Sequence, residues 1–399
     1  MRKFLCLLTA AGLLAAAVLP ARAEIQLPPD VMNYATVGIN GVYSLDFQTA
    51  NENIQKVFDA YPDHPFGHFG NAMVAWARYE YEFETSDETQ RKVFEKILDD
   101  SIDGIKRWLK QNPDDPNGYM GIGALYGLRA MFSMRNRSWI TAYFSGRKAI
   151  KNLEKSMALD PTYYDAYFGL GVYQYYAGTL PAVIKVLAKI VAIKGDPDKG
   201  VSQLNTAREK ATFTADSSKL LLIEVQNNRR NTKYYNPHKS LQYIRELRAK
   251  YPKNPLMHYV EVICLFETKH YEAVTEQANR FLELIGKDPF YKDIYIARAY
   301  TALGTSQMAQ GNLEAARELF EQGHKALQNQ EPSRWGVWNE FRLGQVYDLL
   351  GERNKALKQY KYVLSFKDKW GFDEMTRELI KKPYQLPENK DIGPLPPHV

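Results

Sequence analysis

Apolar residues recur along this chain at intervals of three and four, the spacing that lines one face of a helix. Ala149, Leu153 and Met157 form one such stripe. Leu241, Ile244 and Leu247 form another behind Pro237, and Tyr271, Val274, Ala278 and Phe281 a third. Proline turns close these stretches: Tyr61-Pro62-Asp63-His64-Pro65, Asn112-Pro113-Asp114-Asp115-Pro116 and Tyr251-Pro252-Lys253-Asn254-Pro255. Proline stops one helix and opens the next, because its φ is preset and its missing N–H is not needed at a helix start. Strand signals are nearly absent, since neither Asn40-Gly41 nor Asn117-Gly118 lies between alternating apolar runs. The pattern predicts an all-α chain of roughly seven helix–turn–helix units.

These units are similar to one another. The clearest reads Trp338, Leu343-Gly344, Tyr347, Gly351, Ala356, Tyr360 and Val363, and Leu303-Gly304, Gly311, Ala316 and Phe320 repeat it earlier. These offsets resemble the tetratricopeptide repeat (TPR), in which small residues let helix A and helix B approach closely. The resemblance implies a right-handed α-solenoid with a concave groove. A narrower likeness covers residues 171–204. Gly171-Val172-Tyr173, Thr179-Leu180-Pro181, Gly195-Asp196 and Gly200-Val201 resemble the tetratricopeptide-repeat-protein-39 and inclusion-body-clearance family. It implies a non-enzymatic adaptor role. Ile193-Lys194 and Tyr173-Gln174 depart from that family's pattern, and a secretory signal is foreign to it.

Three segments break the rhythm. Residues 1–23 read as a secretory signal: Arg2 and Lys3, an apolar run from Phe4 to Leu19, then Ala21-Arg22-Ala23 for cleavage. Residues 24–382 are the repeat domain. Within it residues 179–193 form an apolar insertion, with Thr179 as a cap and Pro181 at the first helical position. Twelve residues of helix, Ala182–Ile193, would span about 18 Å, too short to cross a bilayer. Lys185 and Lys189 share one face, and Val183 and Ile190 supply apolar contact. The segment is expected to plug the groove or to lie against a lipid. Residues 383–399 are rich in proline and are expected to form a disordered tail.

Composition narrows the function. Net charge is +6, and loss of Arg2, Lys3 and Arg22 with the signal leaves +3, too little to argue for nucleic acid. Cys6 leaves as well, so Cys264 is the one thiol of the exported chain and no internal disulfide can form. An exported protein, periplasmic or secreted, is expected. The chain holds 27 Tyr, 18 Phe and 6 Trp, enough aromatic surface for both a core and a binding groove.

Candidate chemistry is weak. Gly121, Gly123 and Gly127 resemble a phosphate loop, but they sit in a helical pattern after a turn, so close packing is the better account. His64 and His68 have metal spacing, but Pro65 and Gly67 make His64 a turn residue. No metal, no cofactor and no catalytic group is expected. Arg129, Arg135, Arg137, Arg147 and Lys148, interleaved with Trp139, Tyr143 and Phe144, make a basic aromatic stretch, read first as a solvated face. Counting from Leu-Gly in each helix A places Phe168, Tyr175, Tyr176, Tyr259, Phe266, Phe341 and Asp348 in the groove. The expected function is a scaffold or adaptor that grips a protein or peptide there. The alternative is a carrier or tether for an apolar ligand or lipid, or membrane-surface contact, through Val183, Lys185, Lys189 and Ile190.

Overall fold

The computed structural model describes residues 27–82, 88–136, 138–179, 195–328, 332–367, 371–389 and 391–395. The signal at 1–23 and the apolar insertion beyond Thr179 lie outside them. The described residues contain seventeen α-helices and no strand. Sixteen form eight successive pairs, one more than the repeat pattern suggests. The first pair, α1 (Pro29–Tyr43) and α2 (Phe47–Ala60), carries no Leu-Gly signature and escapes a search for it.

The next pairs are α3 (Pro65–Glu82) with α4 (Glu88–Gln111), and α5 (Pro116–Arg135) with α6 (Trp139–Leu159). Then come α7 (Ala166–Thr179) with α8 (Pro197–Lys210), and α9 (Ala215–Asn227) with α10 (Pro237–Lys250). The last three are α11 (Pro255–Glu267) with α12 (Tyr271–Leu284), α13 (Ile296–Ala309) with α14 (Leu313–Leu327), and α15 (Arg334–Leu349) with α16 (Arg353–Leu364). The short α17 (Asp373–Lys381) follows. The chain is a TPR-like α-solenoid.

Local chemistry explains the helix starts. Pro65, Pro116 and Pro255 each open a helix, as the turns predict. The residue before each proline caps it: His64 Nδ1 accepts the Phe66 N–H at 3.2 Å, Asp115 accepts from Asn117 and Gly118, and Asn254 accepts from Leu256 and Met257. His64 is therefore a capping residue outside α3, while His68 lies inside it. Thr179 closes α7, and the helix it is expected to cap lies outside the described residues. Its Oγ1 donates back to the Tyr175 carbonyl at 2.9 Å, within its own helix.

The small residues do what their offsets suggest. A Cβ on Gly344 would meet Tyr360 Cε1 at 2.5 Å, and one on Gly304 would meet Phe320 Cε1 at 2.6 Å. Helix B thus rests its aromatic on the bare backbone of helix A. Gly171 and Gly200 bring α7 and α8 together backbone to backbone, with a Gly171 Cβ only 2.9 Å from the Gly200 carbonyl. Packing accounts for these glycines of the 171–204 stretch. Gly121 and Gly123 lie inside α5, against Ile105 and Leu153.

The solenoid also closes on itself. Tyr81 Oη donates to the Phe290 carbonyl at 2.9 Å, and Asn254 Nδ2 donates to the Tyr43 carbonyl at 2.8 Å. Leu45 and Tyr81 join the core built by α8 to α16. The first three helices therefore cover part of the inner surface expected to stand open.

Candidate functional site: an occupied inner groove

The expected groove aromatics are mostly core. Tyr175, Tyr259, Phe266 and Phe341 are only 2–3% exposed. Tyr259 donates to the Arg298 carbonyl at 3.0 Å and meets Trp335 edge-on at 4.9 Å. Phe266 packs on Tyr271, and Phe341 stacks on Trp338 at 4.8 Å. Tyr175 lies against Tyr176 and Tyr234. Phe168 is half-buried against the main core. Tyr176 is a strut, its Oη donating to Glu224 at 2.5 Å, and burial beside that carboxylate drives its pKa up. None of the four buried rings is presented to a partner. Tyr175 and Tyr259 are covered from far along the chain, by Tyr234 and by Arg298 and Trp335, which a local count does not include. Val183, Lys185, Lys189 and Ile190 lie outside the described residues.

The surface that does hold a peptide-like segment lies one residue away from Phe341. Trp338, Arg342 and Gln345 fall at i, i+4 and i+7 on α15 and form a single stripe. Residues 391–395 run along it without helix or strand structure. Arg342 Nη1 donates to the Ile392 carbonyl at 2.8 Å and to Gln345 Oε1 at 2.9 Å. Arg342 Nη2 donates to the Pro394 carbonyl at 2.9 Å, and Trp338 Nε1 to the Leu395 carbonyl at 3.0 Å. The guanidinium lies 5.0 Å over the Trp338 ring. Three main-chain carbonyls are thus gripped by side chains, a contact that reads backbone shape more than sequence.

Side chains of the segment add the specific part. Ile392 and Leu395 are buried. Asp391 pairs with Arg229 at 2.5 Å, and Arg229 is held by Glu267 at 2.6 Å, whose carboxylate also accepts from Tyr235 Oη at 2.9 Å. Gly393 turns the segment at φ +86°, a left-handed value that favours glycine, and its N–H bonds Asp391 Oδ1 at 3.0 Å. Upstream, the Tyr384 N–H bonds Asp348 Oδ2 at 2.9 Å. Within the stretch expected to be a disordered tail, Tyr384 and residues 391–395 are bonded to the repeat domain. The tail's prolines prevent a helix but leave carbonyls free, and those carbonyls are what Arg342 and Trp338 take.

The electrostatics fit a permanent cation. Arg342 is 2% exposed, and burial pushes its guanidinium down to about 10, still charged at neutral pH. Two buried polar atoms beside the tail have no hydrogen-bond partner among the described residues, Arg342 Nε and Glu267 Oε1. The docked tail leaves bonding capacity unused. Cys264 is a buried thiol pushed up to about 12 by burial, receiving an amide N–H from Asn227 at 3.2 Å.

Comparison with family models gives no match, and comparison with curated proteins gives none. Among solved structures, a chain of the APC/C Cut9–Hcn1 hetero-tetramer aligns with a TM-score of 0.48 and 14% identity over 84% of this chain. The alignment covers 52% of that protein, so this chain spans about half its length. A human IFIT1 dimer with m7Gppp-AAAA aligns at 0.46 and 15% identity, covering 84% of this chain and 67% of the other. Yeast Tom70 aligns at 0.39 and 11% identity, covering 88% and 89%. These likenesses concern the fold, which the helix pairs establish by themselves.

Proposed function

We propose that this protein is a non-enzymatic scaffold that grips an extended segment of a protein partner along the inner stripe of α15. The observation that carries the reading is the seat of residues 391–395, held by Arg342 and Trp338 through three main-chain carbonyls. A ligand of the same kind would carry an acidic residue for Arg229, two apolar side chains for the Ile392 and Leu395 seats, and a Gly-Pro step between them. Its binding makes and breaks no covalent bond. In this reading the chain's own tail is the resident ligand and a partner displaces it. The unused capacity of Arg342 Nε and Glu267 Oε1 leaves room for a better fit.

The N-terminal signal supports placing this work outside the cytoplasm, in the periplasm or beyond the cell. With a net charge of +3 once exported, nucleic acid is not part of this reading.

A fluorescent peptide spanning residues 388–399 tests the site. Binding is measured by anisotropy against the full chain carrying Ile392→Asp and Leu395→Asp, which weaken the resident tail. Micromolar binding, about tenfold tighter than to the unaltered chain and lost on adding Arg342→Ala, is expected. A tail-weakened chain that stays folded and ignores the peptide rules the site out.

A further inference from the structure

The first two turns of α6 are built the wrong way round for a helix in water. Their inward stripe is small and polar-compatible: Ala142 and Ser145 are buried, and Ala149 continues the stripe in the next turn. Their outward face is large and apolar. Trp139 is 50% exposed, Ile140 76% and Phe144 57%. Met131, in the last turns of α5, is exposed beside them in sequence. Of the eight large apolar side chains exposed among the described residues, four therefore fall between positions 131 and 144. Scattered exposed apolar residues need no explanation, but a cluster on one tip does.

Charge on the same stretch has one sign. No Asp or Glu occurs from Pro116 to Leu153, while Arg129, Arg135, Arg137, Arg147, Lys148 and Lys151 do. Arg129 is committed to Asp99. Arg147, Lys148 and Lys151 are exposed, one to two turns along α6 from the apolar tip. Arg147 lies over the Tyr143 ring and donates to its hydroxyl at 3.3 Å, and Tyr143 packs edge-on against Phe144 at 5.1 Å. The order along the helix is an apolar tip, a Tyr hydroxyl, then cations about 5 Å further along.

We propose that this face of α6 docks on an anionic lipid surface. Trp139, Ile140 and Phe144 enter the boundary between headgroups and acyl chains, a depth of about 5–10 Å for interfacial helices. That depth brings Arg147, Lys148 and Lys151 level with the phosphates. Trp139 and Tyr143 have the amphipathic rings that favour this layer. No helix of the described residues is long and apolar enough to cross a membrane, so the contact lies on the surface. A lipid surface fits better than a protein for two reasons. The side chains stand out from a helix tip instead of lining a cleft, and cations outnumber carboxylates on this stretch of α6, where Glu154 follows Lys151 as an exposed acid.

Vesicles of phosphatidylcholine with 30% phosphatidylglycerol test the proposal on the full chain. The unaltered protein should bind them about tenfold better than pure phosphatidylcholine vesicles, with binding weakened by 0.5 M NaCl. Ile140→Asp with Phe144→Asp should lower binding about tenfold while circular dichroism and the melting temperature stay unchanged. Brominated lipid should quench the unaltered chain more than Trp139→Phe, which reports this tip separately from any other apolar segment. Equal vesicle binding by the double variant, or equal quenching with and without Trp139, overturns the proposal. Loss of binding to an acidic protein but not to vesicles in the double variant overturns it as well, in favour of a protein partner.

Discussion

Tyr43 stacks on Tyr251, their ring centroids 5.0 Å apart and their planes 28° from parallel, although half the chain separates them. Tyr251 Oη donates to Asp216 at 2.8 Å and lies 3.2 Å from Asn40 Oδ1, while Tyr43 Oη and Ser217 Oγ are 2.5 Å apart. This contact joins the end of α1 to the turn between α10 and α11. It converts an open row of helix pairs, where each unit touches only its neighbours, into a closed one.

Tyr251→Ala should therefore loosen more than its own repeat. The expected cost is about 3–5 kcal/mol, from lost aromatic packing and the loss of one hydrogen bond to Asp216, which keeps Lys250 at 2.7 Å. Urea denaturation measures it, and hydrogen exchange should show α1 and α2 losing protection ahead of α13 to α16. Tyr251→Phe keeps the stack and should cost only about 1 kcal/mol.

Two glycines make opposite predictions. Gly344→Ala places a methyl group 2.5 Å from Tyr360 Cε1, and that ring is fixed by its hydrogen bond to Asp348 at 2.9 Å. Destabilisation of about 1–3 kcal/mol is expected. At Gly146 the nearest atom to a new methyl group is 3.9 Å away. There alanine should stabilise α6 by up to about 1 kcal/mol through helix propensity alone. Paired thermal melts decide both, and equal effects at the two positions would refute the close-approach account.

Arg342 carries the docked tail. Arg342→Ala should free residues 391–395, seen as lost amide protection at Ile392 and Leu395, with about 2–4 kcal/mol of stability lost. Arg342→Lys should rescue little, because one ammonium cannot reproduce the fork that reaches the carbonyls of Ile392 and Pro394 together. Full protection of the tail in Arg342→Ala would show that the apolar seats suffice.

His258 predicts acid sensitivity. It is fully buried, with Nδ1 2.9 Å from Tyr291 Oη, and burial followed by the nearby Arg248 charge pushes its pKa down to about 3. Below about 6.5 the unfolded chain takes up a proton that the folded chain refuses. Stability should thus fall as pH drops from about 6.5 toward 3, by up to about 1.4 kcal/mol per pH unit, and this group adds no slope above 6.5. His258→Leu should flatten that part of the curve in urea titrations at pH 4, 5, 6 and 7. An unchanged slope would show that other groups govern it.

Local rules made the helix pairs legible before any coordinates. Pro65, Pro116 and Pro255 open helices because φ and a missing donor are properties of proline itself. Gly344 and Gly304 mark where helix B lands because the absence of a Cβ is written in the residue. Cys264 reads as buried because its apolar neighbours recur at helical spacing. Such features depend on residues a few positions apart, and the sequence holds both partners side by side.

What lines the inner surface is a different kind of fact. Phe341 and Arg342 are adjacent, and a rotation of about 100° per residue separates a core position from a gripping one. Nothing within the repeat shows which way α15 is turned against residues 384–395. Tyr259 and Phe266 are hidden by helices that arrive later in the chain, and Tyr43 finds Tyr251 only through the accumulated curvature of the intervening pairs. Tertiary structure decided the groove because exposure is set by everything that packs on a residue, and most of that lies beyond the reach of a local pattern.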